Sequence, residues 1–469
     1  MDYAADSPFA TPLHPAVMMG TMAKTRIEHV CTDCGAAHPK WAGQCNACGQ
    51  WNTLVEEVAL ADVPIIAPAA GPACPIGDID PLVGGSISTG LDELDRVLGG
   101  GIVSGSVALL GGEPGIGKST LLLQLLAAWP GRALYVTAEE SAQQVRLRAE
   151  RLDAVRPDLW LQVETALPHI LASISDAKPD FVVIDSIQTV HDPALGSLPG
   201  SVVQVRGCAQ QLVTVAKRTG IPIILVGHVT KDGSLAGPRV LEHIVDTVLA
   251  FEGERHHALR LLRATKHRFG PTNELGLFEM AGHGLIGVPD PSQLFLGDRR
   301  TGVPGSAIAP TIEGQRPLVV EVQALTTPAP PNVPARRTTQ GVDSNRLALL
   351  LAVLQQRARI PVQAQDVYAS TVGGIRLVEP GLDLAICLAI VSAINDRPLP
   401  ADLVAFGEVG LGGEVRQVAN APRRLSEAAR LGFKRCIAPR SSPAPEDDRL
   451  RMLRVTTLPE ALAAAGLTN

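Results

Sequence analysis

The sequence predicts an α/β protein built from three units, and three observations support this prediction. Four of the eight cysteines fall between residues 31 and 48. From residue 86 to about residue 288, short apolar segments alternate with helix-compatible segments, a pattern typical of a parallel sheet covered on both faces. A turn-rich connector then precedes a second mixture of helices and short strands.

The composition excludes several classes of protein. Of the 469 residues, 46% are hydrophobic and 19% are charged, so the chain has enough apolar surface to form a core. The net charge of −6 argues against a uniformly basic nucleic-acid coat, although a local basic channel is compatible with it. No apolar run approaches the roughly 20 residues of a membrane span. The N-terminal residues lack the basic and apolar regions of a signal peptide, so we expect a cytoplasmic protein.

The N-terminal cysteine cluster predicts a structural zinc site. Cys31, Cys34, Cys45 and Cys48 have the spacing Cys-x2-Cys-x10-Cys-x2-Cys, in which each pair directs two thiolates at one ion. Two such pairs complete a tetrahedral S₄ site that suits Zn²⁺ and leaves no open position for water. Reduced surface cysteines and a redox-active pair are the alternatives. The cysteines outside this cluster are expected to be small core hydrophobes: Cys74, Cys208, Cys387 and Cys436.

A glycine-rich segment between an apolar strand and a helix-compatible run predicts a phosphate-binding loop. The strand VALLGG (107–112) leads into GEPGIGKST and then LLLQLLAAW, which matches G-x4-G-K-[ST] in its expected context. We expect Lys118 to reach the β- and γ-phosphates of ATP and the Ser119 hydroxyl to hold Mg²⁺. The residues expected to surround the phosphates are Gly112, Glu113, Pro114, Gly115, Ile116, Gly117, Lys118, Ser119 and Thr120.

Two further apolar segments end in acidic residues that suit nucleotide hydrolysis. Asp185 ends the strand FVVIDS (181–186), where it can bind the magnesium shell. Glu139 and Glu140 follow the strand ALYVTA (133–138), and strand ends of one parallel sheet lie together. One of these glutamates can polarise water for attack on the γ-phosphate, and we favour Glu139. From the residues alone, the chain is therefore a magnesium-dependent nucleotide hydrolase with a zinc knuckle.

The motifs resemble the bacterial RadA (Sms) DNA-repair family over about residues 22–460. The segments that carry the resemblance, in order, are STGLDELDRVLGGG, GEPGIGKSTLLLQ, YVTAEES, VVIDSIQTV, VGHVTKDG, AGPRVLEHIVD and ATKHRFGP. The resemblance implies a RecA-like P-loop ATPase core with an N-terminal four-cysteine zinc knuckle and a C-terminal Lon-protease-like α/β domain. It also implies a hexameric ring on single-stranded and branched DNA. Its expected work is ATP-driven branch migration with helicase-like movement, in partnership with the RecA recombinase.

The resemblance assigns a role in a neighbouring subunit to the segment that follows the core. The family's Lys-Asn-Arg-Phe-Gly reads Lys266, His267, Arg268, Phe269, Gly270 in this chain. Lys266 and Arg268 are expected to reach the neighbour's ATP, as an arginine finger does. A surface basic turn is the alternative. His267 in place of Asn predicts added pH sensitivity at about pH 6–7.

The resemblance also places DNA contacts in loops that face the ring channel. Lys231 and Arg239 lie in GHVTKDGSLAGPR (227–239), and His228 is expected to sense the γ-phosphate at a strand tip. Arg206 lies in a second possible DNA loop. The alternatives are a flexible surface loop for Lys231 and a packed strand-end histidine for His228.

The C-terminal domain lacks the residues that a Lon-type peptidase needs. Where the nucleophilic Ser would fall, residues 379–383 read Glu-Pro-Gly-Leu-Asp, and where the Lys would fall, residues 422–424 read Pro-Arg-Arg. Arg cannot deprotonate to serve as a base, so we predict no peptidase activity. The domain is instead expected to build the ring and to contact DNA. Its candidate residues, which ion pairs would explain equally well, are Arg336, Arg337, Arg346 and Arg376.

These assignments divide the chain into six segments and leave three rival functions. The rivals are an ATP-dependent protease, a binding module that uses ATP as a switch, and a recombinase that pairs homologous strands itself. Met22 is a second possible start. The segments are a disordered N-terminal extension (1–28), the zinc knuckle (29–56), a linker (57–85), the RecA-like ATPase (86–287), a connector (288–301) and the Lon-protease-like domain (302–469).

Overall fold

The computed structural model describes residues 26–31, 36–59, 75–76, 85–229, 235–236, 240–253, 258–330, 334–372 and 379–468. The N-terminal unit is a three-stranded antiparallel sheet of order β2-β1-β3. Its strands are β1 (Arg26–Cys31), β2 (Ala37–His38) and β3 (Leu54–Ala59).

The N-terminal sheet is longer than the predicted zinc knuckle. Strands β1 and β3 pair without interruption from Arg26↔Ala59 to Cys31↔Leu54. Residues 26–28 of the predicted extension and residues 57–59 of the predicted linker therefore belong to this sheet, because each completes a rung opposite the other. Residues 1–25 lie outside the described residues.

The central unit is built on a ten-stranded sheet. Its path is β15-β14-β13-β12-β6-β10-β9-β7-β8, with β11 beside β10, while β4 and β5 form a separate pair. The elements are β4 (Ser86–Ile87), α1 (Asp92–Val97), β5 (Ile102–Val103), β6 (Val107–Gly112), α2 (Lys118–Ala128), β7 (Ala133–Thr137), α3 (Ala142–Arg151), β8 (Leu159–Val163), α4 (Leu167–Ala177), β9 (Phe181–Asp185), a 3-10 turn (Pro193–Leu195), α5 (Val202–Thr219), β10 (Ile223–Val229), β11 (Leu235–Ala236), α6 (Val240–Ile244), β12 (Thr247–Glu252), β13 (Leu259–His267), β14 (Leu275–Ala281) and β15 (Gly284–Gly287).

The inner parallel strands of this sheet are covered on both faces, as the continuous apolar strands predict, whereas the outer strand β8 is largely exposed. Every residue of β6 is buried, and alternate residues enter different cores. Val107 and Leu109 pack on one face, whereas Ala108 and Leu110 pack on the other. Strand β10 lies between β6 and β9, so the strands that carry the phosphate loop and Asp185 are separated by a single strand.

The C-terminal unit places a buried helix under a four-stranded sheet of order β16-β17-β19-β18. Smaller sheets, β20-β23-β24 and β21-β22, complete it. The elements are α7 (Pro291–Leu296), β16 (Ser306–Glu313), β17 (Arg316–Pro328), β18 (Arg337–Gln340), α8 (Ser344–Arg357), β19 (Gln365–Thr371), a 3-10 turn (Pro380–Leu382), α9 (Asp383–Ile394), β20 (Leu403–Ala405), β21 (Glu408–Val409), β22 (Val415–Arg416), α10 (Ala421–Arg430), β23 (Arg435–Pro439), β24 (Arg451–Val455) and α11 (Leu458–Ala464).

Two predicted irregular segments contain regular structure. The Pro-rich stretch 326–341 gives its first residues to β17 and forms β18, which pairs in parallel with β19. The connector 288–301 contains α7, because Asp290 accepts a bond from the Gln293 N–H and Pro291 opens the helix. None of the described helices combines the length and apolarity that a membrane crossing requires.

Side chains from the central and C-terminal units pack together in one of the hydrophobic clusters. Leu261 and Leu277 of the central sheet pack in the same cluster as Leu318 and Leu388. A buried ion pair lies at this junction, between Glu93 Oε2 and Arg316 Nη1 at 2.5 Å. The same Arg316 also donates to the carbonyl oxygens of Val288 and Pro289, each at 2.8 Å.

Candidate active site

A cleft of about 330 Å³ opens where the parallel strands end. Thr137 of β7 and Asp185 of β9 are paired in register, so residues after both strands reach the same space as the loop after β6. The cleft is lined by Pro114, Gly115, Gly117, Lys118, Ser119, Thr120, Thr137, Glu139, Glu140, Arg148, Arg151 and Asp185.

The loop from β6 to α2 depends on glycines. Gly117 has a φ of 116°, which L side chains rarely adopt, and an added Cβ would lie 2.7 Å from Met280 Cε. A Cβ on Gly112 would lie 2.6 Å from the carbonyl oxygen of Phe251. The buried Arg260 supports this loop from β13, because its Nε donates to the Ile116 carbonyl at 3.0 Å. The loop is therefore fixed by packing on both sides.

Lys118 presents a buried ammonium group inside this loop. Its Nζ donates to the carbonyl oxygens of Gly112 at 2.7 Å and Glu113 at 3.0 Å. Burial lowers the pKa of the Lys118 ammonium, and the nearby carboxylates of Asp185 and Glu139 oppose that shift. A buried cation beside backbone N–H groups at a helix start suits a phosphate.

Ser119 and Asp185 bring two hard oxygen ligands together. Ser119 Oγ donates to Asp185 Oδ2 at 2.7 Å, and the Tyr135 hydroxyl donates to the same oxygen at 2.6 Å. Burial and the adjacent Asp185 raise the pKa of Tyr135 well above its usual value, so the phenol remains a donor. A hydroxyl and a carboxylate oxygen fit Mg²⁺, which binds oxygen ligands.

The two adjacent glutamates have different partners. Glu139 Oε1 accepts a bond of 2.5 Å from the Ser186 hydroxyl. Glu140 Oε1 instead accepts from Arg148 Nη2 at 2.8 Å, within an ion pair. The charge of Glu140 is thus matched by a guanidinium, whereas Glu139 lies close enough to Lys118 to influence its pKa.

The segment that contains Lys266 and Arg268 lies at the opposite end of the strands from the phosphate loop. Strand β12 runs parallel to β6 from Thr247↔Ala108 to Phe251↔Gly112, and β13 returns antiparallel to end at the rung Thr247↔His267. The signature therefore ends the inner strand β13 instead of following the core. Along the strands, the rung that contains His267 lies about four residues, or about 13 Å, from the rung that contains Gly112 of the phosphate loop.

Hydrogen bonds to neighbouring residues at this end of the strands hold the side chains of Lys266 and Arg268. Lys266 Nζ donates to the carbonyl oxygens of Glu242 at 2.5 Å and Val245 at 2.7 Å, and burial lowers its pKa. Arg268 Nη1 donates to Asp246 Oδ1 at 3.2 Å, with half of its side chain exposed. Neither residue lines the cleft of its own chain.

His267 uses both ring nitrogens in local hydrogen bonds. Its Nε2 lies 3.1 Å from the Leu98 carbonyl oxygen, and its Nδ1 lies 3.1 Å from Thr247 Oγ1. A carbonyl oxygen only accepts, so Nε2 carries a proton. The predicted pH sensitivity of His267 remains a prediction.

The predicted DNA-contacting residues fall into two groups. Lys231, Arg239 and Arg376 lie outside the described residues, and so does the side chain of His228, whose backbone in β10 pairs with Gly112. Arg206 is exposed, but it lies on α5 and not in a loop, because the Ser201 side chain caps that helix just before it.

The predicted C-terminal arginines differ in their partners. Arg336 is exposed and its N–H donates to Asp366. Arg337 donates to the Val362 carbonyl oxygen at 3.1 Å. Arg346 forms a two-pronged contact with the buried Asp383, which corresponds to the ion-pair alternative.

The cysteine cluster has the geometry of a metal site. The Sγ atoms of Cys31, Cys45 and Cys48 all lie within 4.8 Å of one another. Cys34 lies outside the described residues. Gly49 directly follows the last cysteine with a φ of 75°, the backbone geometry expected of that tight turn. Thiolates at this separation fit Zn²⁺.

The two segments where a peptidase dyad would fall meet in the C-terminal unit. Arg424, which is 1% exposed, donates to both carboxylate oxygens of Glu379, at 2.9 and 2.6 Å. The Thr311 hydroxyl donates to the same carboxylate at 2.8 Å. Glu379 and Arg424 therefore form a salt bridge at the place where the dyad would fall, and neither residue is a nucleophilic Ser or a basic Lys.

Several residues in or around the site were not identified from the sequence, including Thr137 and Arg151 of the cleft lining. Tyr135 and Ser186 look like ordinary strand and strand-end residues, and their contact with the acidic groups depends on sheet register. Arg148 lies eight residues after Glu140 on the helix that follows the strand end, and sequence spacing alone does not show that its side chain returns to that end. Arg260 lies more than 140 residues from the loop it supports, so no local pattern reveals it.

Three family models match parts of the chain. Residues 78–234 match the model described as an AAA domain, residues 29–56 match a rubredoxin metal binding domain, and residues 372–442 match subunit ChlI of Mg-chelatase. A solved KaiC-like protein from Pyrococcus horikoshii OT3 covers 44% of this chain and 100% of its own, with 21% identity and a TM-score of 0.37. The fold and the site define an α/β protein with a RecA-like P-loop ATPase core, an N-terminal zinc ribbon and a Lon-protease-like C-terminal domain.

Curated relatives give the family. "DNA repair protein RadA" of Bacillus subtilis (strain 168) is 50% identical over 430 residues, 89% of this chain and 93% of its own. The protein of that name from Pseudomonas aeruginosa is 51% identical over 452 residues, 94% of this chain and 99% of its own. That of Streptococcus pyogenes serotype M6 is 46% identical over 451 residues, with 94% and 99% covered. The chain belongs to the RadA family of DNA repair proteins.

Proposed function

We propose that this protein is a DNA-dependent ATPase that processes branched intermediates of homologous recombination by branch migration and helicase-like movement on single-stranded DNA. The observation that carries the proposal is the cleft that unites Lys118, Ser119, Asp185 and Glu139 at one sheet edge. Membership of a family of DNA repair proteins supports the choice of substrate.

The residues of the cleft divide the chemistry of hydrolysis between them. Lys118 and the loop N–H groups bind the β- and γ-phosphates and hold them in line for attack. Ser119 and Asp185 would hold Mg²⁺, which neutralises charge on the phosphate oxygens when bound. Glu139 accepts the proton of the attacking water, and its bond from Ser186 fixes the direction of that carboxylate.

Completion of the site by a second copy of the chain is part of the proposal. Lys266 and Arg268 lie at the end of the strands opposite to the phosphate loop, so they cannot contact nucleotide bound in their own chain. The ring we propose is a head-to-tail assembly in which that end of the strands in one copy faces the cleft of the next. We assign them the stabilisation of charge on the neighbour's γ-phosphate, and a hexamer is the ring we expect.

DNA and RecA recombinase are the proposed macromolecular partners, and the cytosol is the proposed compartment. Single-stranded or branched DNA would pass the channel-facing segment with Lys231 and Arg239, and His228 would report the γ-phosphate to it through β10. Arg206 and Arg336 offer additional exposed cations. We retain Arg337 as a weaker candidate, because backbone carbonyl groups already occupy its guanidinium.

Peptidase activity is absent from the proposal. In the Glu379–Arg424 salt bridge the guanidinium is buried, and the pair supplies neither of the two groups that Ser/Lys proteolysis requires. We therefore assign the C-terminal unit to assembly, and a casein-degradation assay with ATP tests this assignment.

The experiment that tests the function measures ATP hydrolysis and branch migration by the purified, zinc-loaded full chain. We expect hydrolysis to need Mg²⁺, to rise with single-stranded DNA, and to be abolished in Lys118→Ala. Arg146→Ala is the matched control, because Arg146 lies on α3 outside the cleft and pairs with Glu150. DNA affinity is expected to fall with salt. Absence of hydrolysis in every combination of Mg²⁺ and DNA would contradict the proposal.

A further inference from the structure

The geometry points to Arg148 as a second cation for the terminal phosphate of ATP bound in the same chain, which gives this residue discrimination between ATP and ADP. The inference rests on the proposed nucleotide function of the cleft. Arg148 belongs neither to the phosphate loop nor to the acidic residues Glu139, Glu140 and Asp185 of the cleft.

Helix α3 directs Arg148 into the cleft. The helix begins at Ala142, after a capping box in which Ser141 and Gln144 exchange side-chain bonds with each other's backbone. Side chains on a helix lean toward its N-terminus, so a residue two turns inside α3 reaches back toward the strand end. Arg148 lines the cleft together with Lys118 and Ser119.

One half of the Arg148 guanidinium is occupied and the other half is not. Nη2 donates to Glu140 Oε1 at 2.8 Å, and the side chain is three-quarters buried. Among the described residues, neither Arg148 Nη1 nor Glu140 Oε2 has a hydrogen-bond partner, although both atoms are buried. A buried donor without a partner is costly, so a ligand that accepts from Nη1 gains binding energy there.

The surroundings select a phosphate as that ligand. A planar guanidinium matches the oxygens of a phosphate, and the bond to Glu140 orients it in the cleft that also contains Lys118. Arg148 and Asp185 line the same cleft, and Asp185 and Tyr135 contribute to raising the pKa of Arg148, so the guanidinium lies near the proposed Mg²⁺ ligands. Lys118 approaches the β- and γ-phosphates from the loop, and Arg148 lines the same cleft from α3, so we assign Arg148 a second contact to the terminal phosphate.

The experiment compares nucleotide affinity in Arg148→Ala and Arg146→Ala full-length proteins, with ADP and a non-hydrolysable ATP analogue as the probes. We expect Arg148→Ala to lose tenfold or more, by order of magnitude, in affinity for the ATP analogue, with ADP affinity changed far less. Arg146→Ala is expected to match the wild type for both, because Arg146 is an exposed neighbour on the same helix.

A structural role for Arg148 gives a different pattern. Equal losses for both nucleotides, or no loss for either, would overturn the inference, and the thermal midpoint without nucleotide shows whether folding changed. If Arg148→Ala does not fold, Arg148→Lys keeps a charge without the planar fork and should show a smaller selective loss; its absence would also overturn the inference. A wild-type protein that binds neither probe would instead overturn the proposed function.

Discussion

Adjacent acidic residues in this site have different electrostatic surroundings. Glu140 is neutralised by Arg148, whereas Glu139 accepts from the neutral Ser186 hydroxyl and lies near the Lys118 ammonium. A carboxylate that already accepts from a guanidinium is the weaker acceptor for the proton of an attacking water, which favours Glu139 over Glu140. The assignment of the general base to Glu139 thus has a physical reason beyond its sequence position.

Glu139→Gln should lower ATP turnover by roughly 10²-fold or more while ATP affinity is retained, because the amide cannot accept the proton. Glu140→Gln should have a smaller effect on turnover, since it removes only the charge opposite Arg148. Single-turnover hydrolysis together with equilibrium ATP binding measures both quantities. A larger loss of turnover in Glu140→Gln than in Glu139→Gln would reverse the assignment.

The sequence predicted the residues whose role depends on local spacing. The phosphate loop and the cysteine pairs are short patterns whose chemistry requires those residue types at those positions. Tyr135 and Arg260 were missed, because their contacts are formed by sheet register and by packing across long chain separations. The contacts of Lys266 with helix carbonyl groups were equally invisible in its motif.

Among the elements, β12 and β13 form a hairpin that carries the proposed trans-acting residues, and Asp246 anchors it. This buried carboxylate accepts from the Val107 N–H at 3.0 Å, from Lys217 Nζ at 2.7 Å and from Arg268 Nη1 at 3.2 Å. It therefore links the first residue of β6 to the cation that we assign to the neighbour's nucleotide.

Asp246→Asn should reduce ATP turnover with little change in nucleotide affinity, because the amide oxygen can still accept from Val107 but no longer pairs with Arg268. Steady-state hydrolysis and ATP binding by the full chain test this expectation, with the oligomeric state measured in parallel. Unchanged turnover in a correctly assembled variant would show that Asp246 does not position Arg268.

The zinc ribbon is a separate element whose strands need the metal site. Cys31→Ser should release zinc and unfold β1 to β3, because three short strands bury few apolar side chains. The central unit should keep its basal ATP hydrolysis. Metal analysis and a hydrolysis assay check the two parts, and loss of both properties together would contradict a separate ribbon.

Prediction of elements was weakest where irregular composition hid pairing. The stretch that forms β18 looked like a loop because prolines precede it, yet Arg337–Gln340 pairs with β19 at the sheet edge. Helix α7 was hidden in a segment read as a connector, since its start signal is the short Asp290–Pro291 pair. The inner parallel strands β6, β7 and β9 were recognisable because both of their faces are buried, whereas β8 is largely exposed and was not predicted.

For the whole molecule, the shared core and the Glu93–Arg316 ion pair connect the ATPase unit to the C-terminal unit. Glu93 Oε2 also accepts from the Leu277 N–H at 2.9 Å, so the pair fixes a central strand as well. The two units are therefore joined by packed apolar side chains and a buried ion pair.

Glu93→Gln should destabilise both units together by about 3–5 kcal/mol, because it leaves Arg316 buried beside an uncharged partner. Glu150→Gln is the exposed control, for which we expect about 0–1 kcal/mol. Denaturant unfolding followed by probes in each unit gives the comparison. A transition that shifts for one unit alone would show that the junction does not couple them.

The central claim is that one copy of the chain hydrolyses ATP only when a second copy completes its site. The most direct test mixes Lys118→Ala protein with Lys266→Ala/Arg268→Ala protein, each inactive alone, after showing that tagged copies co-assemble. Our account predicts recovery of about one quarter of wild-type hydrolysis at equal amounts, since about one interface in four joins an intact loop to intact cations. Co-assembled but inactive mixtures would contradict it.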